Sequence, residues 1–198
     1  SRDACRRWAK TEDIQIYNRE YMGNFKEDIA RVKAIVLDVD GVMTDGGIIP
    51  TPDGDFIRRY YAKDGYAMAS ALREGIKICI ISGGRGRMLE HRLQMLGVTA
   101  MYLDCMDKVA ALKEFIESNR LDAEEVIYMG DDIPDLECMR CVGIPVCPSD
   151  AAMEVVEASR YVSEYEGGRG AVRDIVEQVM RAQGTWAKSL KGVLGSKS

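Results

Sequence analysis

Long apolar stretches are missing from this sequence. No run approaches the ~20 apolar residues that a membrane-spanning helix needs. The opening segment, SRDACRRWAK, carries charges with no apolar run behind them, so it does not read as a secretory signal. Positive charge is in short supply as well. Lys and Arg number 27 against 32 Asp and Glu, a formal net charge of −5. That balance speaks against a broad surface for nucleic acid or for an anionic membrane, and it means that an anionic substrate would need local cations. Histidine occurs once, at His91, in a mid-helix setting that reads as surface or interface. The six cysteines (Cys5, Cys79, Cys105, Cys138, Cys141 and Cys147) are scattered, which fits a reduced, cytoplasmic protein better than a disulfide framework. Cys138 and Cys141 have redox spacing, but no second pair and no neighbouring histidine accompany them, which argues against zinc. Internal repeats and low-complexity segments are absent too.

What is present begins with Lys33 to Gly47, KAIVLDVDGVMTDGG. Ala34 to Leu37 form an apolar, largely β-branched run suited to a strand buried on both faces. The run meets Asp38, Asp40 and Asp45, with Gly41 between them, and packing does not explain carboxylates there. Residues two apart at a strand end point the same way, so Asp38 and Asp40 can face one point above the sheet edge. Two carboxylates that close repel unless a cation lies between them or one holds a proton. A hard divalent ion with oxygen ligands, most simply Mg²⁺, meets that need. The alternative is an acidic turn in which Asp only caps a loop.

The rest of the chain alternates. Apolar runs at 76–81, 100–103, 126–129, 142–146 and 161–162 read as strands, separated by helical stretches over about 64–74, 84–96, 108–119, 134–140, 150–158 and 171–183. Asp64 and Asp107 read as caps of the helices that follow them. Ile48-Ile49 and Phe56 to Tyr61 flank Asp53-Gly54 and read as a hairpin, which Pro50 and Pro52 keep out of the central sheet. Strands alternating with helices imply a mainly parallel sheet covered on both faces, with its site at the carboxyl ends of the strands. No G-x-G-x-x-G follows the first strand, which speaks against a dinucleotide site. Residues 1–30 read as a partly helical extension, 31–183 as the domain and 184–198 as a tail.

Three strands end in polar clusters: Asp38/Asp40, Ser82-Gly83-Gly84 and Gly130-Asp131-Asp132. Asp38 is a candidate nucleophile, since a carboxylate attacking phosphorus splits one hard hydrolysis into two easier steps. Asp40 could protonate the leaving alcohol and then deprotonate water. Asp131 could complete the Mg²⁺ site, with Asp132 and Asp135 orienting the ligands from behind; the alternative for this trio is helix capping. Ser82 and Gly83, placed at a helix start, would cradle phosphate, although Ser-Gly is also an ordinary strand-to-helix turn. Lys108 sits in the first turn of its helix, where the dipole disfavours a cation by ~0.3–1 kcal/mol, and a reach to Asp38 and a phosphate would offset this.

In their order and context these residues resemble the haloacid dehalogenase superfamily of phosphohydrolases. Asp38-Val39-Asp40-Gly41-Val42, Ser82, Lys108 and Gly130 to Asp135 resemble its four motifs, over about residues 31–183. The resemblance implies a Rossmann-like three-layer α/β sandwich, Mg²⁺ and an aspartyl-phosphate intermediate. It implies as metal ligands the Asp38 side chain, the Asp40 backbone carbonyl and the Asp131 side chain. The intervals between motifs leave no room for a large lid domain. This uncapped form, with its hairpin, Lys63-Asp64-Gly65-Tyr66 and Gly167 to Arg173, resembles the family of 3-deoxy-D-manno-octulosonate 8-phosphate phosphatases. That implies a homotetramer assembled through the hairpins, a small sugar-acid phosphate as substrate and a place in lipopolysaccharide synthesis. Arg58, Arg59, Lys63 and Arg169 are then candidates for the substrate carboxylate or for subunit contacts. Ser82 stands where threonine is common, and Gly84 where many relatives carry an arginine or an acid. A nine-carbon sialic-type acid phosphate is the alternative substrate, and a non-catalytic scaffold the alternative role.

Overall fold

The computed structural model describes residues 25–187. The expected partial helix over residues 3–30 falls outside them apart from helix α1 (Phe25–Ala30), and Trp8, Ile14, Ile16, Tyr17, Tyr21 and Met22 lie in that outside part. The tail from 188 onward is also outside.

Six strands form one sheet: β1 (Ala34–Leu37), β4 (Lys77–Ile81), β5 (Ala100–Tyr102), β6 (Val126–Met129), β7 (Ile144–Cys147) and β8 (Tyr161–Val162). Their order is β5-β4-β1-β6-β7-β8 and every pairing is parallel. The chain builds outward from β1 to β5 on one side and then crosses back to β6 on the other. The junction of β1 with β6 is therefore a topological switch point, where such sheets bind ligands. Leu37 pairs with Ile80 and with Met129, so Asp38 and Gly130 leave the sheet at one level, while β4 runs one residue further to Ile81, which pairs with Tyr102.

Helices cover both faces in a Rossmann-like α/β arrangement. Period-two alternation sends Ile35, Leu37, Ile78, Ile80, Ile127 and Met129 to one core, beside α2 (Ala62–Arg73), α3 (Arg87–Met95) and α7 (Ala171–Ala182). It sends Ala34, Val36, Cys79, Ile81, Val126 and Tyr128 to the other, beside α4 (Lys108–Ser118), α5 (Leu136–Met139) and α6 (Met153–Ala158). Strands buried on both faces have to be apolar throughout, and that is why β1 and β6 contain almost no polar side chain. The hairpin of β2 (Ile49–Pro50) and β3 (Phe56–Ile57) stands apart from this sheet, as Pro50 and Pro52 require. It leaves Ile48, Ile49 and Ile57 exposed.

Asp64 departs from its expected role. Helix α2 starts two residues earlier, with Tyr61 as its N-cap, and Asp64 is buried in the first turn. Its Oδ1 accepts the backbone N–H of Arg173 at 2.8 Å, so it caps α7, whose own N-cap is Gly170 with no side chain to offer. The two helices pack together along their length, and the cap lies inside that contact. Its Oδ2 is buried with no donor among the described residues, and burial raises the carboxyl to about 6 despite the backbone hydrogen bonds. A folded-state pKa above the unfolded value means a contribution that is complete below about pH 4 and is lost as the pH rises through 6. Urea denaturation of Asp64→Asn at pH 5 and pH 8 checks this. The variant should gain stability relative to the wild type at the higher pH.

Candidate active site

Asp38 leaves β1 with its N–H bonded to the Met129 carbonyl at 3.1 Å, a ladder bond that sets its backbone level with β6. Its side chain is buried. One oxygen each from Asp38, Asp131 and Asp135 lies within 4.8 Å of the others. Lys108, delivered by the start of α4, places Nζ 3.2 Å from Asp38 Oδ1 and 2.8 Å from Asp135 Oδ1. The contact with Asp38 is an ion pair without hydrogen-bond alignment, so the buried Oδ1 has no donor among the described residues. Asp107 caps α4 through the Ala110 N–H at 2.9 Å, and this fixes the turn from which Lys108 reaches inward.

Asp135 is held from three directions. Its Oδ1 accepts from Lys108 and from the phenol of Tyr128, each at 2.8 Å, and its Oδ2 accepts the Asp131 N–H at 3.2 Å. With both oxygens occupied, it acts as a bracket that ties Lys108 to the backbone of Asp131. Tyr128 is a partner that the sequence reading missed. A fully buried phenol needs an acceptor, and a tyrosine inside the strand that runs into Gly130-Asp131-Asp132 was the available signal. Gly41 permits the remaining approach: its φ is +93°, and a Cβ there would fall 1.9 Å from Asp131 Oδ2.

Crowded carboxylates raise one another. Burial is the largest influence on Asp38 and the Asp135 charge the next, and they hold its carboxyl above the usual range against the pull of Lys108. Burial, then the charges of Asp38, Asp135 and Asp132, push Asp131 to about 7. For Lys108, burial opposes the charge, but Asp38 and Asp135 outweigh it and its pKa rises. One ammonium does not offset this acidity. The orphaned Asp38 oxygen, the carboxylate spacing and the all-oxygen donor set together fit a hard divalent cation held by Asp38 and Asp131.

The other candidates are distributed around this centre. Ser82 is buried at the end of β4, and its Oγ accepts the Gly84 N–H at 3.0 Å. The expected helix start is not there, since α3 begins at Arg87. Its first turn is capped instead by the hairpin's Asp55, which accepts the Met88 N–H at 3.1 Å. Any cradle at Ser82 and the exposed Gly83 is thus a loop rather than a helix end. The Asp40 side chain turns to Arg58, Nε–Oδ1 2.7 Å and Nη2–Oδ2 3.0 Å, and does not join the carboxylate cluster. The carboxylate that Arg58 was expected to take from a substrate comes from within the chain. The Asp132 side chain is exposed and reaches the centre by its charge, while its backbone carbonyl accepts the Asp135 N–H at 2.9 Å. Asp45 and Arg59 pair with each other.

Lys63 and Arg169 are exposed and line a cavity of about 320 Å³ with Tyr61, Tyr165 and Arg173. The Glu177 carboxylate binds Arg173 and Arg181 there, whereas Lys63 has no ion pair among the described residues. The Gly167–Gly170 loop forms part of this wall. It is pinned to the loop after β1 by the Gly168 N–H to the Val42 carbonyl at 3.0 Å, and to Asp150 by the Gly167 N–H at 2.9 Å.

Known proteins resemble this chain in sequence and in fold. A family model described as haloacid dehalogenase-like hydrolase matches residues 101–174. The 3-deoxy-D-manno-octulosonate 8-phosphate phosphatase KdsC of Yersinia pestis is 35% identical over 154 residues, which are 78% of this chain and 82% of that protein. KdsC of Escherichia coli K12 is 35% identical over 153 residues, 77% and 81% of the two chains. Among solved structures, the Yersinia pestis phosphatase superposes with a TM-score of 0.80 at 33% identity, over 82% of this chain and 88% of its own. The Moraxella catarrhalis phosphatase, solved with magnesium ion, phosphate ion and KDO, gives 0.81 at 27% identity, over 87% and 99%.

The cation fit has a thermal readout. At a hundredfold excess of Mg²⁺ over its Kd, the midpoint of unfolding should rise by roughly 5–10 °C, and Asp131→Asn should lose most of that shift. Differential scanning fluorimetry over a Mg²⁺ series measures both.

Proposed function

The chain belongs to the haloacid dehalogenase-like hydrolases, and from that membership we propose that it is a magnesium-dependent phosphatase. Its substrate is 3-deoxy-D-manno-octulosonate 8-phosphate and its products are KDO and inorganic phosphate. The observation that carries the reading is the meeting of Asp38, Asp131, Asp135 and Lys108 at the switch point of the sheet. Relatives of this chain bear the phosphatase name, and one of them holds magnesium, phosphate and KDO.

The residues divide the reaction between them. Asp38 attacks phosphorus; a bond forms from its carboxylate oxygen as the bond to the sugar oxygen breaks. Asp40 donates a proton to that departing oxygen, which leaves as a neutral alcohol. Asp40, now a carboxylate, takes a proton from water as the water attacks the aspartyl phosphate, and Asp38 is regenerated with release of phosphate. Lys108 neutralises charge that develops on the phosphoryl oxygens while Asp135 holds it in place. Mg²⁺, which the Asp38 and Asp131 side chains and the Asp40 carbonyl would hold, would supply the charge that lets an anionic nucleophile approach an anionic ester. Ser82 and Gly83 receive the phosphate. Lys63 and Arg169, exposed cations that line the cavity, take the sugar carboxylate.

The finer setting belongs to the same proposal. The exposed isoleucines of the hairpin form the contacts of a homotetramer, and the enzyme works in the cytoplasm in lipopolysaccharide synthesis. Among the described residues no helix is long and apolar enough to cross a membrane.

Phosphate release from a panel of sugar-acid phosphates, with and without Mg²⁺, tests the assignment. The eight-carbon substrate should turn over faster than its nine-carbon counterpart, and chelation should stop both. Asp38→Asn should lower kcat by at least about a thousandfold while the fold is kept. Equal turnover of the two substrates would overturn the substrate, and undiminished activity of Asp38→Asn the mechanism.

A further inference from the structure

Arg58 stands just beyond strand β3, outside the sheet, yet its side chain is only 2% exposed. It is enclosed because it fills the space over Gly84. A Cβ at Gly84 would lie 2.9 Å from Arg58 Nη2, 3.0 Å from Asp40 Oδ2 and 3.2 Å from Ser82 Oγ. The Arg58–Asp40 pair therefore packs on the Ser82–Gly84 wall, and position 84 tolerates no side chain without displacing it. The guanidinium meets Asp40 through two donors, Nε and Nη2, and its third nitrogen, Nη1, donates to the Arg85 carbonyl at 3.2 Å. The Phe56 ring lies 5.6 Å from its carbon. The hairpin behind it is itself anchored, since Asp55 caps α3 through Met88.

We propose that Arg58 is a positioning residue: it sets the plane of the Asp40 carboxylate, so that the proton Asp40 carries is aimed at the departing sugar oxygen. The proposal rests on the acid/base role given to Asp40 above. A two-point guanidinium–carboxylate contact fixes the carboxylate plane, whereas a lysine would fix only a distance. The hairpin thus serves the chemistry within its own chain as well as presenting its isoleucines outward.

Leaving-group dependence separates this role from plain packing. A sugar alkoxide cannot leave without a proton, while 4-nitrophenolate can. Misplacing Asp40 should therefore penalise only the former in kcat/KM, which reports events up to leaving-group departure. The variants are Arg58→Met and Arg58→Lys, assayed at saturating Mg²⁺ on 3-deoxy-D-manno-octulosonate 8-phosphate and on 4-nitrophenyl phosphate, with the Mg²⁺ thermal shift as the control for fold and metal binding. Arg58→Met should lower kcat/KM for the sugar phosphate by about a hundredfold, mostly through kcat, with 4-nitrophenyl phosphate falling about fivefold at most. Arg58→Lys should recover part of the loss, and the Mg²⁺ shift should persist in both. Equal losses on the two substrates would overturn the proposal in favour of wall packing. A rise in KM for the sugar phosphate at unchanged kcat would overturn it in favour of direct substrate contact. A wild type inactive on the sugar phosphate would defeat the parent reading, and an Asp40→Asn variant that loses both substrates equally would defeat the role of Asp40.

Discussion

Repulsion among three carboxylates, two of them buried and one half-buried, governs this molecule. Asp38, Asp131 and Asp135 converge where water is largely excluded, and only Lys108 among the described residues brings an opposing charge directly to them. Such a cluster is costly in the folded state, and the cost falls on the groups whose protons it alters. The surrounding construction holds the members in place. Tyr128 and the Asp131 N–H restrain Asp135, a ladder bond restrains the Asp38 backbone, and the missing side chain at Gly41 lets Asp131 come close. A cation is the natural complement of this frame.

The switch point places the cluster. Because β1 has β4 on one side and β6 on the other, the loops after all three open at one edge. Each loop brings a different chemistry: carboxylates after β1, a hydroxyl and bare backbone after β4, further carboxylates after β6. The hairpin then reaches across from the first loop to the second. Arg58 and Asp55 make it a strut between Asp40 and the wall after Ser82, so an anchored element borders the opening of the site, while the described residues include no lid domain.

The parts of this site legible in the sequence were those that depend on local pattern. A buried strand that runs into Asp38 or Asp131 is visible without coordinates, because packing has no use for a carboxylate there. Lys108 was visible for a similar reason, as a cation on the wrong end of a helix. Contacts between distant segments were not legible. Asp64 looked like the cap of its own helix, and nothing nearby signals that it serves Arg173, 109 residues on. Arg58 looked like a cation awaiting a substrate, since its partner Asp40 comes from another element. Ser82 was placed at a helix start because glycine-rich turns often lead straight into helices, whereas here α3 begins only at Arg87. The hydrophobic pattern fixes which face of an element is buried and says little about which polar group waits on the other side.

The cap on α7 also bears on how the chain reaches its native state. Asp64 belongs to the first helix after the hairpin, yet the N–H it satisfies belongs to α7, the last helix among the described residues. Gln183 likewise donates to the Val32 carbonyl across 151 residues. Both links join distant segments, so the face of α2 that α7 covers stays open until α7 has been made. Ordering between such separated segments is slow, and that apolar face is the surface that a chaperone would meet during the wait.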